Sequence, residues 1–420
     1  MRNAPDKNPF KGVSDLLARG APAKRTLHFL SYIIDLALVF IASYLLFLGG
    51  KAIVTNTSEY KKNNAIYNEE IIYYQDMVVE AHLTEYIDSD NHVRIENEDL
   101  SYKNLINQIL LSYTHDKEAD YHEFGDLDPT DDLKNMYVNA TNASFENDNI
   151  SRFIIEYIPA QEEKLIDFGS FTPVGYVEEF YKIHASSYAN LKFIYKNGEL
   201  PYLKPDVAYD IYRYLTKADG YTRDRYDDFV NFYSAMLNDA EDIIFKSESY
   251  QSTHYQTFLS SRKTITQLLN VVLIVSIALA YYLIVFLPMM IFRDGRSFGK
   301  IFLRLGTINT DKSEVEVWKY ILRSFLGAVS SIYLAFFLTL LPPFNGTSMI
   351  LYLPFITIGT FDITMINIII IIFALTAVNG IVMLLTHEKR SITDIIFKII
   401  TVDITLLDEP DYDEKEETNA

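Results

Sequence analysis

Four apolar stretches, each long enough to cross a bilayer, constrain this 420-residue chain more than any other feature. The first runs from Leu27 to Leu48, and its only ionisable residues are His28 and Asp35. Its 22 residues span about 33 Å at 1.5 Å per residue, enough for the hydrocarbon core. A secretory signal peptide fits this stretch poorly, because a long lead-in precedes it, an Asp interrupts it, and no small-x-small cleavage site follows. Leu268 to Phe292, Tyr320 to Leu341 and Met365 to Thr386 are the others, the last containing five successive isoleucines, Ile368 to Ile372. Between the third and fourth, Ile350 to Gly359 is too short to cross and is interrupted by Pro354, so it is expected to be an outer-leaflet or re-entrant segment.

Charge divides the chain along the same lines. Lys51 to Lys263 carries 38 Asp and Glu against 20 Lys and Arg, and Asp408 to Ala420 carries 7 against 1, whereas the rest has 11 against 16. A basic remainder built on apolar runs, with acidic pieces attached, excludes a simple soluble enzyme. So acidic a soluble part also argues against nucleic-acid binding, which needs a cation for each phosphate contact. With no cysteine, the chain has no disulfide framework, zinc-thiolate site or cysteine nucleophile.

Basic residues beside the apolar runs set the expected orientation. Arg2, Lys7, Lys11, Arg19, Lys24 and Arg25 precede the first; Arg293, Arg296, Lys300, Arg304, Lys312 and Lys319 follow the second; Lys389, Arg390 and Lys398 follow the fourth. Four crossings put all of these in the cytoplasm with both termini, in a multi-pass protein of the cell membrane. The expected architecture is all-α: a polytopic four-helix transmembrane bundle with a mainly helical extracytoplasmic domain inserted between helices 1 and 2. Its segments are a cytoplasmic start at 1–26, spans at 27–48, 267–292, 320–341 and 365–386, an outer domain at 49–266, a cytoplasmic basic loop at 293–319, an outer loop at 342–364, and a cytoplasmic interfacial helix with a disordered acidic tail at 387–420.

Within the outer domain, Thr172 before Pro173 reads as a helix cap and Asn197-Gly198 as a stop, which predicts a helix from about Pro173 to Lys196. Another starts at Pro205. The 4-and-3 spacing of Phe229, Tyr233, Met236, Ala240, Ile243, Ser247, Tyr250 and His254 predicts a helical stalk running toward the second span. Ile66 through Met77 to Tyr86 would be its antiparallel counterpart.

Chemistry is sparse. Asp88, Asp90, Glu96 and Asp99 fall at calcium-loop spacing, but Val93 stands where the turn needs Gly and position 12 is Asp instead of Glu. His115, Asp116, Asp120 and His122 read as solvated surface groups and not as a metal set. Four Asn-x-Ser/Thr sequences, at Asn56, Asn139, Asn142 and Asn149, are expected as accidents of an Asn-rich segment. No cofactor, metal or nucleophile-base pair is expected, and no enzymatic activity. A phosphate loop at Asp294 to Lys300 fails, since only three residues separate Gly295 from Gly299, Ile301 stands where Ser or Thr should be, and a membrane helix precedes it. That segment is expected to form a turn at Asp294-Gly295, a Ser297 cap and a short amphipathic piece, Lys300 to Leu305, facing anionic lipid headgroups.

Three segments stand out together: Ser31-Tyr32-Ile33-Ile34-Asp35-Leu36; then Asp294-Gly295-Arg296-Ser297-Phe298-Gly299-Lys300 with Ile301 to Leu305 and Ile321-Leu322-Arg323-Ser324; then Lys389-Arg390-Ser391-Ile392-Thr393-Asp394. In this order they resemble the RDD family of membrane proteins. The resemblance covers about 175 residues and none of the outer domain. In the family an Arg lies seven residues before the helix Asp; here that place holds His28, with Arg25 one turn earlier. The resemblance implies an integral membrane protein, most often bacterial, and cation/proton exchange has been suggested for some relatives.

The candidate motif or ion-pair residues are therefore Arg25, His28, Asp35, Lys300, Arg304, Arg323 and Asp394. Asp35 lies about 12 Å inside its helix, where a charge costs roughly 2.5–3.5 kcal/mol and needs a partner, a proton or water. Ion transport would use it as a titrating site, with His28 and Ser31 on the same stripe. The preferred reading is a structural pair with Arg323, because no second acid lies as deep. Ser391-x-x-Asp394 reads as a capping box. On this basis the chain is expected to be a membrane anchor or scaffold that displays its outer domain to a protein partner, the alternative being a cation/proton transporter or channel-like protein centred on Asp35.

Overall fold

The computed structural model describes residues 21–118, 123–136, 148–292, 295–313, 315–341, 354–358, 361–386 and 390–404. Two compact units emerge, one of Met1–Asn64 with Arg262–Ala420 and one of Ala65–Ser261.

In the first unit the apolar runs become helices. Among the described residues four are long and apolar enough to cross a membrane: Thr26–Thr55, Tyr250–Phe292, Val317–Leu338 and Met365–Met383. The second begins with a wide, π-type turn at Tyr250–Tyr255, in the other unit, and is interrupted by another at Tyr282–Phe286. The latter ends two residues before Pro288, which has no N–H to donate and whose ring would meet the Ile284 carbonyl in a regular helix; widening the turn relieves that clash. Gly50 lets the first two helices approach closely, since a Cβ there would come within 2.7 Å of Val272 Cγ1. Phe47, Leu273, Ile277, Leu334, Leu338 and Met365 share one buried cluster.

The all-α expectation is incomplete in this unit. Ala21–Pro22, Ile399–Asp403 and Leu305–Asn309 form a three-stranded antiparallel sheet with Ile399–Asp403 in the centre. The predicted amphipathic piece from Lys300 to Leu305 is instead the end of a helix, Phe298–Phe302, and the start of a strand whose five residues are all buried. A second helix, Ile392–Phe397, leads into the central strand in the same way. Each helix passes into its strand through a basic residue with left-handed backbone, Arg304 at φ 52° and Lys398 at φ 54°. Leu305 pairs with Asp403 and Asn309 with Ile399, so the two helix-strand pieces are related by an approximate twofold at Thr307 and Thr401. Beyond the third span, within the stretch expected to be an outer-leaflet or re-entrant segment, Pro354–Ile358 pairs antiparallel with Phe361–Thr364; 350–353 and 359–360 lie outside the described residues.

The unit Ala65–Ser261 is mainly helical. Asn97–Lys117, Pro205–Leu215 and Asp224–Phe245 surround a core that includes Leu105, Ile109, Phe153, Val207, Ile211 and Tyr233. Phe229, Tyr233, Met236 and Ala240 belong to that core, so the predicted stalk seam is largely a packing face of a domain. Its continuation does meet the counterpart expected for it. Tyr74 packs on Tyr250, Tyr73 stacks on His254 with centroids 3.7 Å apart, and Tyr67 stacks on Phe258, an antiparallel succession.

Thr172 caps the helix from Pro173 as expected, its hydroxyl accepting from the Gly175 amide at 3.1 Å, but that helix ends at Ala185. The expected last third turns back as the hairpin Phe193–Ile194 with Tyr202–Leu203. Asn197-Gly198 lies between the strands, Gly198 at φ 85°, and Phe193 packs against Tyr181 and Phe232. Pro205 starts a helix as expected. Asp88 closes the turn between Tyr86–Asp88 and Val93–Arg94 by accepting from the amides of Asp90 and Asn91. Asp116 accepts from the amides of Glu123 and Phe124, at 3.0 and 2.9 Å. Asp120, His122, Asn139, Asn142 and the acidic tail lie outside the described residues.

Among the described residues two carboxylates of this unit are buried, Asp148 and also Asp116, which corrects the reading of Asp116 as a solvated surface group. Asp148 Oδ1 accepts from the hydroxyls of Tyr181 and Tyr233, and Oδ2 from the Ser151 amide and hydroxyl. Burial pushes its carboxyl above the ordinary value, against the four hydrogen bonds that favour the charge. A raised folded value means that the proton is held more tightly in the fold than in the unfolded chain. The resulting stability is complete below the ordinary carboxyl value of 3.8 and is lost as pH rises through the raised one. Asp148→Asn is expected to remove that part of the pH dependence and to cost about 1–3 kcal/mol, since its amide group faces the Ser151 N–H donor. Thermal melts followed by circular dichroism from acidic to neutral pH check both.

Candidate functional site

The charged residues singled out in the first unit gather where Phe298–Phe302 and Ile392–Phe397 meet the long helices. Asp35, on the first helix, accepts the Ser297 hydroxyl on Oδ2 at 2.5 Å and the Gly299 amide on Oδ1 at 2.7 Å. Ser297 stands at the N-cap position of Phe298–Phe302, as expected, but it gives its hydroxyl to Asp35 instead of capping its own helix. Gly299 is the only residue type that fits: a Cβ would fall 2.2 Å from the Ser31 carbonyl oxygen and 3.0 Å from Asp35 Cγ. Gly295, at φ 66°, is similarly forced by the Tyr320 ring, 2.3 Å from where its Cβ would be.

Lys300, 4% exposed, donates to Thr307 Oγ1 at 2.9 Å, and that hydroxyl donates to the Gly295 carbonyl at 3.1 Å. The buried ammonium thus joins its helix to the strand that follows. Arg304 lies at the left-handed junction, where its carbonyl accepts from the Ile404 amide at 3.0 Å. Arg25 is the first residue of its helix. His28 and Ser31 are buried one turn apart, the Ser31 hydroxyl donating to the His28 carbonyl at 2.8 Å.

The expected pairing of Asp35 with Arg323 is corrected by the ion pair that forms. Arg323 Nη2 lies 2.8 Å from Asp394 Oδ1, with side chains only 14% and 2% exposed. That contact is electrostatic more than directional, because Asp394 Oδ1 and Arg323 Nη1 have no aligned hydrogen-bond partner. Arg323 and Lys300 still lie within electrostatic range of Asp35. Arg323 pairs with Asp394 for a geometric reason: Asp35 is already occupied by the backbone and hydroxyl of the loop. The capping box read at Ser391 is present, the Asp394 amide donating to Ser391 Oγ at 3.1 Å and the Ser391 amide to Asp394 Oδ2 at 3.4 Å. Arg323, His28 and Lys300 all lie within electrostatic range of Asp394.

Sequence reasoning missed Asn379. Its side-chain oxygen accepts from the Ile392 amide at 2.8 Å, so a polar residue within the fourth apolar helix caps the short helix after it. The visible signal was an Asn-Gly pair in an otherwise apolar run. Thr307 was also missed; it lies in a strand, Leu305–Asn309, of which only the first residue belonged to the segment read as interfacial.

Four helices, each long and apolar enough to cross a bilayer, define an integral, multi-pass membrane protein. Residues 243–398 match the sequence model of the RDD family. That range takes in the second, third and fourth apolar helices, Phe298–Phe302 and Ile392–Phe397, but not the first helix or Asp35. No curated protein and no solved structure matches the chain.

Breaking the buried pair leaves an uncompensated charge, so Arg323→Gln or Asp394→Asn alone is expected to cost roughly 3–5 kcal/mol. The double variant should cost less than the two combined, and detergent-solubilised melts of all three measure that coupling. Additive losses would mean that the pair does not act as a unit.

Proposed function

We propose that the chain is a membrane scaffold that displays the acidic unit Ala65–Ser261 outside the cell to a protein partner, with both termini and the basic loops in the cytoplasm. The observation carrying this reading is the occupation of Asp35: both carboxylate oxygens hold the loop helix, Oδ2 through Ser297 and Oδ1 through the Gly299 amide. An acid used to seat a loop has a structural task. The Arg323–Asp394 pair and the Lys300–Thr307 bond have the same character. The orientation is supported by the basic residues that follow the second and fourth helices, and exposed ones among them, Arg304 and Lys398, favour anionic headgroups at the cytoplasmic face. No enzymatic step is assigned.

Cation/proton transport is the second reading, favoured by the gathering of two acids with His28, Lys300 and Arg323 in one polar cluster. Purified protein in liposomes loaded with a pH-sensitive dye separates the two. The scaffold reading expects no cation-driven proton flux above empty vesicles, whereas a flux abolished by Asp35→Asn in a folded protein would establish transport. External protease on intact cells is expected to reach Ala65–Ser261 and to leave a carboxy-terminal tag uncut.

A further inference from the structure

Phe298–Phe302 and Ile392–Phe397 are built inside out. Their polar residues face protein, with Ser297 1%, Lys300 4% and Asp394 1% exposed. Four of their large apolar residues face outward, with Phe298 37%, Phe302 68%, Ile395 43% and Ile396 63% exposed, while Phe397 turns into the core. In water such helices would be a liability, because exposed apolar side chains gain nothing and buried charges cost several kcal/mol unless paired. In a hydrocarbon layer the same arrangement is the stable one.

Their anchoring points say at which depth they sit. Phe298–Phe302 is held through Ser297 and Gly299 by Asp35, which lies nine residues past Thr26, the first residue of its span, or about 14 Å along the helix. The amino end of Ile392–Phe397 is held by Asn379, four residues before Met383 at the end of the fourth span, about 6 Å inside. Asp394 of the same helix reaches Arg323, six residues past Val317 at the start of the third span, about 9 Å inside. Backbone amides at such depth have no water to turn to, and at each helix one is satisfied by a side chain from a spanning helix.

We propose that these two short helices are sunk in the membrane leaflet, and that Phe298, Phe302, Ile395 and Ile396 form a docking surface for its acyl chains. The occupant is lipid because three separate anchors place the helices between the ends of spans whose own outward residues, Ile321, Phe325 and Val378 among them, are equally apolar and exposed. The proposal rests on the four long helices crossing the bilayer, and its test checks that separately.

The chain has no cysteine, so single cysteines can be introduced at Phe302 and Ile396 and labelled with the environment-sensitive dye NBD in nanodiscs. Val378→Cys, 49% exposed on the fourth span, is the acyl-chain reference, and Ile183→Cys, 60% exposed in the other unit, is the aqueous one. Labels at 302 and 396 are expected to show the blue-shifted emission of the 378 label, to lose intensity to lipids with a nitroxide on the acyl chain, and to resist aqueous iodide. Trp318, the only tryptophan and 53% exposed at the start of the third span, gives an unmodified check through the same nitroxide lipids. Iodide quenching at 302 and 396 with the 378 label protected would overturn the proposal and leave the spans intact. Quenching by headgroup nitroxides alone would put the helices on the surface, and protection from every quencher would mean that protein, such as a second copy, covers the face; either overturns it. Exposure of the 378 label to iodide would instead defeat the reading of the spans themselves.

Discussion

A backbone amide at membrane depth must find an acceptor within the protein, and the polar cluster follows from how this chain meets that demand. The Gly299 amide gives its hydrogen to Asp35, with the Ser297 hydroxyl on the other carboxylate oxygen. A charge so placed would cost roughly 2.5–3.5 kcal/mol if left alone. Two short donors offset that cost, and the carboxylate in turn holds a loop that has no regular partner. Gly299 follows from the same contact, because any Cβ would strike the Ser31 carbonyl.

The second helix-strand piece solves the problem with different chemistry. A neutral amide, Asn379, takes the place of Asp35, and its helix carries the acid itself, as Asp394 in a capping box. Arg323 then finds its partner on that piece. Two helices of similar length, each leaving through a left-handed basic residue into antiparallel strands that pair with one another, make one polar platform out of segments about ninety residues apart in sequence. Ala21–Pro22 adds the third strand, so the chain before the first span is tied to the chain after the fourth.

The features with long period and high amplitude were legible in the sequence. Four spans, the Thr172 cap, the helix start at Pro205 and the Ser391 capping box all rest on local chemistry that nothing distant competes with. Partners were not legible. Asp35 and Arg323 were matched by shared depth alone, whereas the choice between Asp35 and Asp394 depends on a loop seated by Ser297 and Gly299, a contact between residues 262 positions apart or more. The sheet was hidden for a related reason. Leu305–Asn309 and Ile399–Asp403 are five residues each, too short for periodicity to speak, and each becomes a strand only through the other. At Asn197-Gly198 the signal was present but ambiguous, since Asn-Gly ends helices and also turns hairpins.

The same seating constrains what Asp35 could do in a transport cycle. Protonation would weaken its hold on the Gly299 amide and the Ser297 hydroxyl, because a neutral carboxyl is a poorer acceptor than a carboxylate. A bound cation would compete for those same oxygens. Either event loosens Phe298–Phe302, and with it the strand Leu305–Asn309, to which Lys300 and Thr307 tie that helix. Titration of Asp35 would therefore be felt by the loop helix as well as by its own. It would have to move the platform, which the Arg323–Asp394 pair and five residue pairs of strand register oppose. That opposition is what a scaffold requires and what a rapid exchanger would have to overcome at each turnover.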